Sequence, residues 1–317
     1  MIYMFTGVAG QLGRAFVRTL TKNKDNYIIG LCRESELERA KTVFAQNQNI
    51  VLASADSADS ASISGAIRYF RPDVVGHLGA KSSVHGANES PIEYFYSNTV
   101  STINILNAIK SAQIKPKFFN MSSIEIFGNS EGVLLESRNE NTPICPSNQY
   151  GSSKAAAHIY VDTYRKTYGL HVYNVISGNF ISEFQNSNFV IGKVLNYLET
   201  DAFLGKKLKL GNINSIRDWT YVDDIVDGIL CTLDCSQPEN YCIASGNIAT
   251  VENVISILFK YYDLNYLDFI EIENKLFRIG DTNFVNIDCS KLRATGWFPK
   301  YSLIQSINQI MLNKKVI

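Results

Sequence analysis

The sequence carries no excess of charge of either sign. Lys and Arg number 30 and Asp and Glu number 30 over 317 residues, a formal net charge of zero. Binding nucleic acid by counterion release calls for a basic surface, so nucleic acid is not expected as a partner. No run reaches the 18 or more apolar residues of a membrane span, and the opening MIYMFTGVAG lacks the basic stretch and long apolar run of a secretory signal. A cytoplasmic protein with no membrane partner is the expectation. The six cysteines (Cys32, Cys145, Cys231, Cys235, Cys242 and Cys289) include no CxxC pair, and His77, His85, His158 and His171 form no ligand cluster. Reduced, mostly buried thiols and no metal are expected. Internal repeats, low-complexity tracts and a clear linker are also missing. What is present is 45% hydrophobic and only 19% charged, the composition of a folded core and not of a disordered chain. At roughly 100–200 residues per domain, the length holds about two domains or one large α/β unit.

The first 120 residues alternate short apolar runs with helical spacing. Strands are expected at Ile2–Phe5, Tyr27–Leu31, Ile50–Ala53, Asp73–Leu78 and Lys117–Met121, and helices at Leu12–Leu20, Ile63–Phe70 and Thr99–Ala112. This is the βαβαβ order of a doubly wound parallel (Rossmann) sheet with right-handed crossovers. A helix over Tyr150–Tyr168 and a strand over His171–Ser177 continue it. Beyond that the pattern changes, with helices expected at Phe189–Leu198, Tyr221–Leu233, Ile255–Tyr262 and Leu303–Leu312. The organisation expected is a dinucleotide-binding domain over 1–177, also using parts of 211–245, and a smaller α/β substrate domain over 178–317 packed on it.

Thr6-Gly7-Val8-Ala9-Gly10-Gln11-Leu12-Gly13 follows the first strand and opens the first helix. The GxxGxxG spacing gives a tight turn, a backbone that can approach pyrophosphate, and a helix N-terminus to face its charge. The alternative is a purely structural turn. At the end of the second strand an acid would bind a ribose 2′-hydroxyl. This chain has Cys32-Arg33, and an arginine suits a 2′-phosphate, so NADP is expected over NAD; the alternative is a solvated Arg33 with Glu34 on the ribose. Asp56 is a candidate for the adenine edge or for a helix cap. Tyr150 and Lys154 stand four apart on one helix face. An ammonium there would lower the phenol pKa from about 10 towards neutrality and let it exchange a proton with a carbinol. Ser122-Ser123-Ile124-Glu125 supplies a strand-end hydroxyl beside them.

With these residues the chain resembles the extended short-chain dehydrogenase/reductase family, and within it the GDP-mannose 4,6-dehydratases. The resemblance runs over most of the chain, through TGVAGQLG (Thr6–Gly13), HLGAKSSV (His77–Val84), SSIEIFG (Ser122–Gly128), TPICPSNQYGSSKAAAH (Thr142–His158), NFVIGKV (Asn188–Val194), GNINSIRDWTYVDDIVDG (Gly211–Gly228), YCIASG (Tyr241–Gly246) and RATGW (Arg293–Trp297). It implies a catalytic set of Ser123, Glu125, Tyr150 and Lys154. It implies cofactor contacts from Gly7, Gly10, Gln11, Leu12, Gly13, Arg33, Asp56, Leu78, Ala80, Tyr150 and Lys154. Substrate contacts are implied for Ser83, Asn179, Val190, Lys193, Arg217 and Arg278, the two arginines clamping a nucleotide diphosphate. Trp219 and Trp297 are read as core residues. The implied reaction is 4,6-dehydration of a GDP-linked sugar with a recycled nicotinamide cofactor, by a homodimer or homotetramer that associates through the helices near Thr99–Ala112 and Tyr150–Tyr168.

The chain departs from the family in three places. The stretch 180–188 has neither Pro nor Arg, Ile124 replaces a small polar residue, and the segment after Arg33 is short. The first leaves the sugar and the base open, and the last favours a dimer over a tetramer. The alternatives are an NADPH-dependent reductase of 4-keto-6-deoxy nucleotide sugars, a C4 epimerase or dehydrogenase, and a non-catalytic dinucleotide sensor.

Overall fold

The structure is a computed structural model and describes residues 1–128, 137–277 and 286–314. Its strands are β1 (Ile2–Thr6), β2 (Tyr27–Cys32), β3 (Ile50–Ser54), β4 (Val74–His77), β5 (Lys117–Ser123), β6 (Val172–Ser177), β7 (Phe180–Ile181), β8 (Leu208–Leu210), β9 (Ile216–Asp218), β10 (Thr220–Tyr221), β11 (Asn240–Ile243), β12 (Ile248–Thr250) and β13 (Ile270–Ile272). The helices are α1 (Gln11–Leu20), α2 (Glu34–Val43), α3 (Ser60–Phe70), α4 (Val84–Glu89), α5 (Pro91–Tyr94), α6 (Ser101–Ser111), α7 (Gln149–Tyr168), α8 (Val190–Thr200), α9 (Val222–Asp234), α10 (Val251–Lys260), α11 (Ser290–Arg293) and α12 (Leu303–Lys314). Among the described residues no helix is long and apolar enough to cross a membrane.

Seven strands form one parallel sheet in the order β11-β6-β5-β4-β1-β2-β3. The chain runs from β1 outward to β3, then crosses back to β4 on the other side of β1. Loops leaving β1 and β4 therefore diverge and open a crevice at the carboxyl ends of the strands, where open α/β sheets bind ligands. Alternation along the strands splits the core between two faces. Phe5 packs with Phe16 of α1 and with Phe119, while Met4 and Val75 face Ile63, Ile67, Ile105 and Ile109 on α3 and α6. The second half adds three two-stranded ladders, β7 with β10, β9 with β12 and β8 with β13. Its α8 and α10 side chains Val194, Leu198, Leu258 and Phe259 share one apolar cluster with α1 and α9.

The sequence expectation missed several short elements, three of which bear on the site or the sheet. The run after Arg33 forms α2, a helix with only Ala40 buried, so it carries no apolar period to read. A π-helical turn at Phe95–Val100 precedes α6. The four-residue β11 completes the sheet from far down the chain.

Candidate active site

Each glycine of the first turn has its own steric reason. Gly7 sits at φ +63, and a Cβ there would lie 2.5 Å from the Gly79 Cα. A Cβ on Gly13 would lie 2.2 Å from the Val8 carbonyl oxygen, so α1 can pack on its own entry loop only with glycine there. Gly10 is the α1 N-cap and offers no side-chain cap, and no acid stands in the first turn. The free amides of that turn suit an anion.

Behind the turn, Thr6 and His77 lock the ends of β1 and β4 together. The Thr6 hydroxyl accepts from the Leu78 and Gly79 amides at 3.2 and 3.1 Å and meets His77 Nδ1 at 2.8 Å. His77 Nε2 meets the Ser101 hydroxyl at 2.9 Å, and that hydroxyl donates to the Ser97 carbonyl. The Ser101 proton is thus spent, which makes Nε2 the donor and Nδ1 the acceptor. A second ring proton would face an oxygen already accepting twice. Burial, with Lys154 adding repulsion, pushes His77 down to about 3. The unfolded histidine takes up a proton near pH 6.5 and the folded one does not, so His77 contributes a fall in stability of at most about 1.4 kcal/mol per pH unit as pH drops from 6.5 towards 3, and buried His158, pulled down to about 4, adds its own share over part of that range. Melting curves across that range should show this slope in the wild type and a flatter one in His77→Asn. Equal slopes would remove His77 as the acid-sensitive group.

One cleft of about 1020 Å³ runs along the carboxyl edge of the sheet. It gathers Gly7, Gly10, Gln11, Leu12, Gly13, Arg33, Asp56, Leu78 and Ala80, then Ser123, Glu125, Tyr150 and Lys154, then Asn179, Val190 and Arg217. Ser83 is not in its wall. The Ser83 hydroxyl caps α4, accepting from the Gly86 amide at 3.1 Å, and its neighbours Ser82 and Val84 line the cleft instead. Lys193 also lies outside, in a second hollow of about 300 Å³, where its ammonium donates to the Lys209 carbonyl at 2.6 Å. Arg278 lies outside the described residues. Asp56 holds its own loop through the Ala58 amide, and the α3 cap is Asp59.

The catalytic candidates sit where β5 meets the start of α7. Ser123 ends β5, and its hydroxyl accepts from the Glu125 amide at 3.2 Å. The carboxylate of Glu125 accepts from Asn148 Nδ2 at 2.8 Å. Gly151 brings α7 against this loop, since a Cβ there would stand 2.4 Å from the Glu125 carbonyl oxygen. The expected Tyr150–Lys154 relationship needs correction. Lys154 is buried and its ammonium donates to the Met121 carbonyl at 2.8 Å. Burial pushes Tyr150 up to about 12, against a lowering hydrogen bond from Ser123, and burial pulls Lys154 down to about 8. Desolvation outweighs any help from the ammonium, because both groups are taken from water together.

Sequence reasoning missed several wall residues. Arg14 and Arg39 join Arg33 in the cleft wall, and the Arg14 guanidinium stacks 3.9 Å from the Phe184 ring centroid. Arg14 stands on α1 and Arg39 on the unforeseen α2, so no local motif announced either. Lys81 and Glu93 form an ion pair in the same wall. Trp219 is buried as expected yet also lines the cleft, its indole N–H donating to the Ala249 carbonyl at 2.9 Å. Asp218 is occupied by Thr220, Ser245 and Gly246.

Known proteins resemble this chain over nearly its whole length. The family described as GDP-mannose 4,6 dehydratase matches residues 4–310. GDP-mannose 4,6 dehydratase 2 of Arabidopsis thaliana is 31% identical over 315 residues, covering 94% of this chain and 83% of that protein. The fold is similar to that of dTDP-glucose 4,6-dehydratase from Bacillus anthracis in complex with NAD, at a TM-score of 0.86 and 24% identity, covering 100% of this chain and 97% of that one. It is also similar to RMD from Pseudomonas aeruginosa complexed with NADPH, at a TM-score of 0.80 and 22% identity, covering 99% of each chain.

Proposed function

The chain belongs to the GDP-mannose 4,6 dehydratase family, and from that premise we propose that it converts a GDP-mannose-like nucleotide sugar to the GDP-4-keto-6-deoxy sugar, using NADP without net redox change. The observation that carries the reading is the Glu125 carboxylate in the same cleft wall as Ser123, Tyr150 and Lys154. A simple dehydrogenase needs no such group. A dehydratase must also move a proton from C5 and a hydroxyl from C6.

The residues present fit a dinucleotide, on the evidence of the glycine cradle at Gly7 and Gly13 and the uncapped first turn of α1. Gly7, Gly10, Gln11, Leu12 and Gly13 would hold the pyrophosphate, Asp56 the adenine edge, and Leu78, Ala80, Tyr150 and Lys154 the nicotinamide side. NADP is favoured over NAD because Arg14, Arg33 and Arg39 all line the wall, and Glu36 is ion-paired to Arg33 at 2.7 Å. The structural relatives hold NAD in one case and NADPH in the other, so this choice rests on the chain's own arginines. Arg33→Ala combined with Arg39→Ala should weaken NADP⁺ at least tenfold in a fluorescence titration and leave NAD⁺ within about twofold, since each lost charged pair acts only on the 2′-phosphate. Equal loss for both cofactors would withdraw the assignment.

When bound, the nicotinamide supplies a hydride acceptor for C4 and a hydride donor for C6. Tyr150, buried and protonated in the resting site, would first release its phenol proton, and as the phenolate it takes the O4 proton while the C4 ketone forms, with Ser123 hydrogen-bonded to it. Lys154, at about 8, remains mostly cationic at neutral pH, and its positive charge on the same helix favours the phenolate that accepts this proton. Glu125 removes the C5 proton, which the ketone has acidified, and delivers a proton to the departing C6 hydroxyl, so one water leaves. A proton returns to C5 when C6 is reduced. Asn179, Val190 and Arg217 are the wall residues proposed for the nucleotide sugar, with Arg217 on the diphosphate. Lys193 and Ser83 keep their assignment only if substrate binding reshapes the α8 rim and the α4 cap. Ile92, Phe95 and Tyr96, with Ile159 and Tyr160 of α7, are exposed and are the face proposed for a homodimer.

Purified protein incubated with GDP-mannose, and separately with dTDP- and UDP-glucose, tests the reading. The expected result is a product lighter by one water from GDP-mannose, formed without added reductant. A requirement for NADPH and a keto sugar would make the protein a reductase, and turnover of dTDP-glucose alone would move the substrate assignment.

A further inference from the structure

We propose that Asn148 is the positioning residue for Glu125, one side chain that starts helix α7 and holds the Glu125 carboxylate ionised beside Tyr150. The proposal rests on the reading of Glu125 as the proton-transfer group. Asn148 is buried and is the N-cap of α7. Its carbonyl oxygen accepts from the Gly151 amide at 2.8 Å, and its Nδ2 donates to Glu125 Oε2 at 2.8 Å. The first bond fixes the second. An amide N–H must face an acceptor, so Oδ1 points to Gly151 and the NH₂ group is left facing the carboxylate. That NH₂ group pairs with an unprotonated oxygen and so favours the anion. The corner around it is tight, with Gly151 packed on the Glu125 carbonyl and the Cys145 amide donating to the Ile126 carbonyl at 2.9 Å. Arg138 and Tyr150 are among the groups that interact electrostatically with Glu125. Arg138 supports the anion, and the anion in turn helps to keep Tyr150 protonated in the resting site.

A cap alone is replaceable. Asp and Ser are as good as Asn at an N-cap, but Asp puts a second negative charge against Glu125, and Ser is too short to serve both partners. The test is a carbon-13 NMR titration of the glutamate carboxyls, with the Glu125 signal identified by its loss in Glu125→Gln. Asn148→Asp should raise the Glu125 midpoint by about one pH unit or more and Asn148→Ser by about half a unit, with melting temperatures within a few degrees of wild type. A Glu125 midpoint unmoved in both variants would overturn the proposal and leave Asn148 as a helix cap. Should Asn148→Asp fail to fold, Asn148→Ser decides alone. The acid limb of the kcat–pH profile for 4-keto-6-deoxy product should shift with the NMR midpoint. A midpoint that moves while the limb stays would uphold the positioning and refute the catalytic role of Glu125.

Discussion

Glu125→Gln should abolish the 4-keto-6-deoxy product while leaving cofactor binding and oxidation at C4 in place. The substitution is nearly isosteric, and the glutamine carbonyl can still accept from Asn148 Nδ2, so the corner between β5 and α7 keeps its geometry. What is lost is the ability to hold a proton between C5 and the C6 oxygen. General acid–base groups contribute roughly 10²–10⁴ in rate, and Glu125 serves two transfers in one turnover, so a fall of at least about 10³ is expected. The readout is product mass after long incubation, together with absorbance of reduced nicotinamide after mixing with substrate. Absorbance should accumulate in the variant, because C4 is oxidised and nothing follows. Product within tenfold of wild type would end the dehydratase reading, and loss of both signals would mean the variant fails before C4 oxidation. The neighbouring Ile124 sharpens the point. It is buried and apolar, so the Ser–x–Glu segment offers no second acid and the burden falls on Glu125.

The sequence made the first half of the fold legible because glycine spacing and apolar runs are local signals. Gly13 is required by a contact inside its own βα unit and Gly7 by its positive φ, and β1, β2 and β4 are short, mostly apolar and mostly buried runs, as inner parallel strands are. The helix α2 was illegible since its one buried residue, Ala40, leaves no stripe. The edge strand β11 was illegible because its four residues gain their meaning only beside β6. For the site, residues carried on a motif could be named, whereas residues brought in from other elements could not. Arg39 reaches the cleft from α2, and Thr6 meets His77 across 71 positions. Ser83 is a motif position of another kind, one whose hydroxyl the structure sets as the α4 cap, next to the cleft wall and not in it. Electrostatic state is further still from sequence. The YxxxK spacing placed Tyr150 and Lys154 on one face, but how deeply they are buried decides the sign of their shifts, and spacing does not encode depth.

That burial yields the second large expectation, in which activity falls steeply while the change in stability shows in its pH dependence. Lys154→Met should lower product formation by at least about 10³, since the Tyr150 phenolate that accepts the O4 proton loses the positive charge that favours it. The same change should leave stability at pH 7 within about 1–2 kcal/mol of the wild type. The ammonium is fully buried and its pKa drops from 10.5 to about 8. At about 1.4 kcal/mol per pKa unit, keeping that charge inside costs about 3 kcal/mol at pH 7. The hydrogen bond to the Met121 carbonyl returns about 1.5–3 kcal/mol of this. Met removes the charge at similar length, and its own cost is a carbonyl left without a donor, about 1–3 kcal/mol. The two sides nearly cancel at pH 7, but they do not cancel across pH. Between about 8 and 10.5 the folded lysine has lost its proton and the unfolded one has kept it, so the unfolded state binds more protons and wild-type stability rises with pH. Lys154→Met lacks that rise. Urea unfolding at pH 7 and pH 10 should therefore show the wild type gaining on the variant by about 2–3 kcal/mol between the two. A stability difference that stays constant across that interval would mean that Lys154 is not the buried cation its surroundings make it, and the charge assigned to it in favouring the Tyr150 phenolate would go with it.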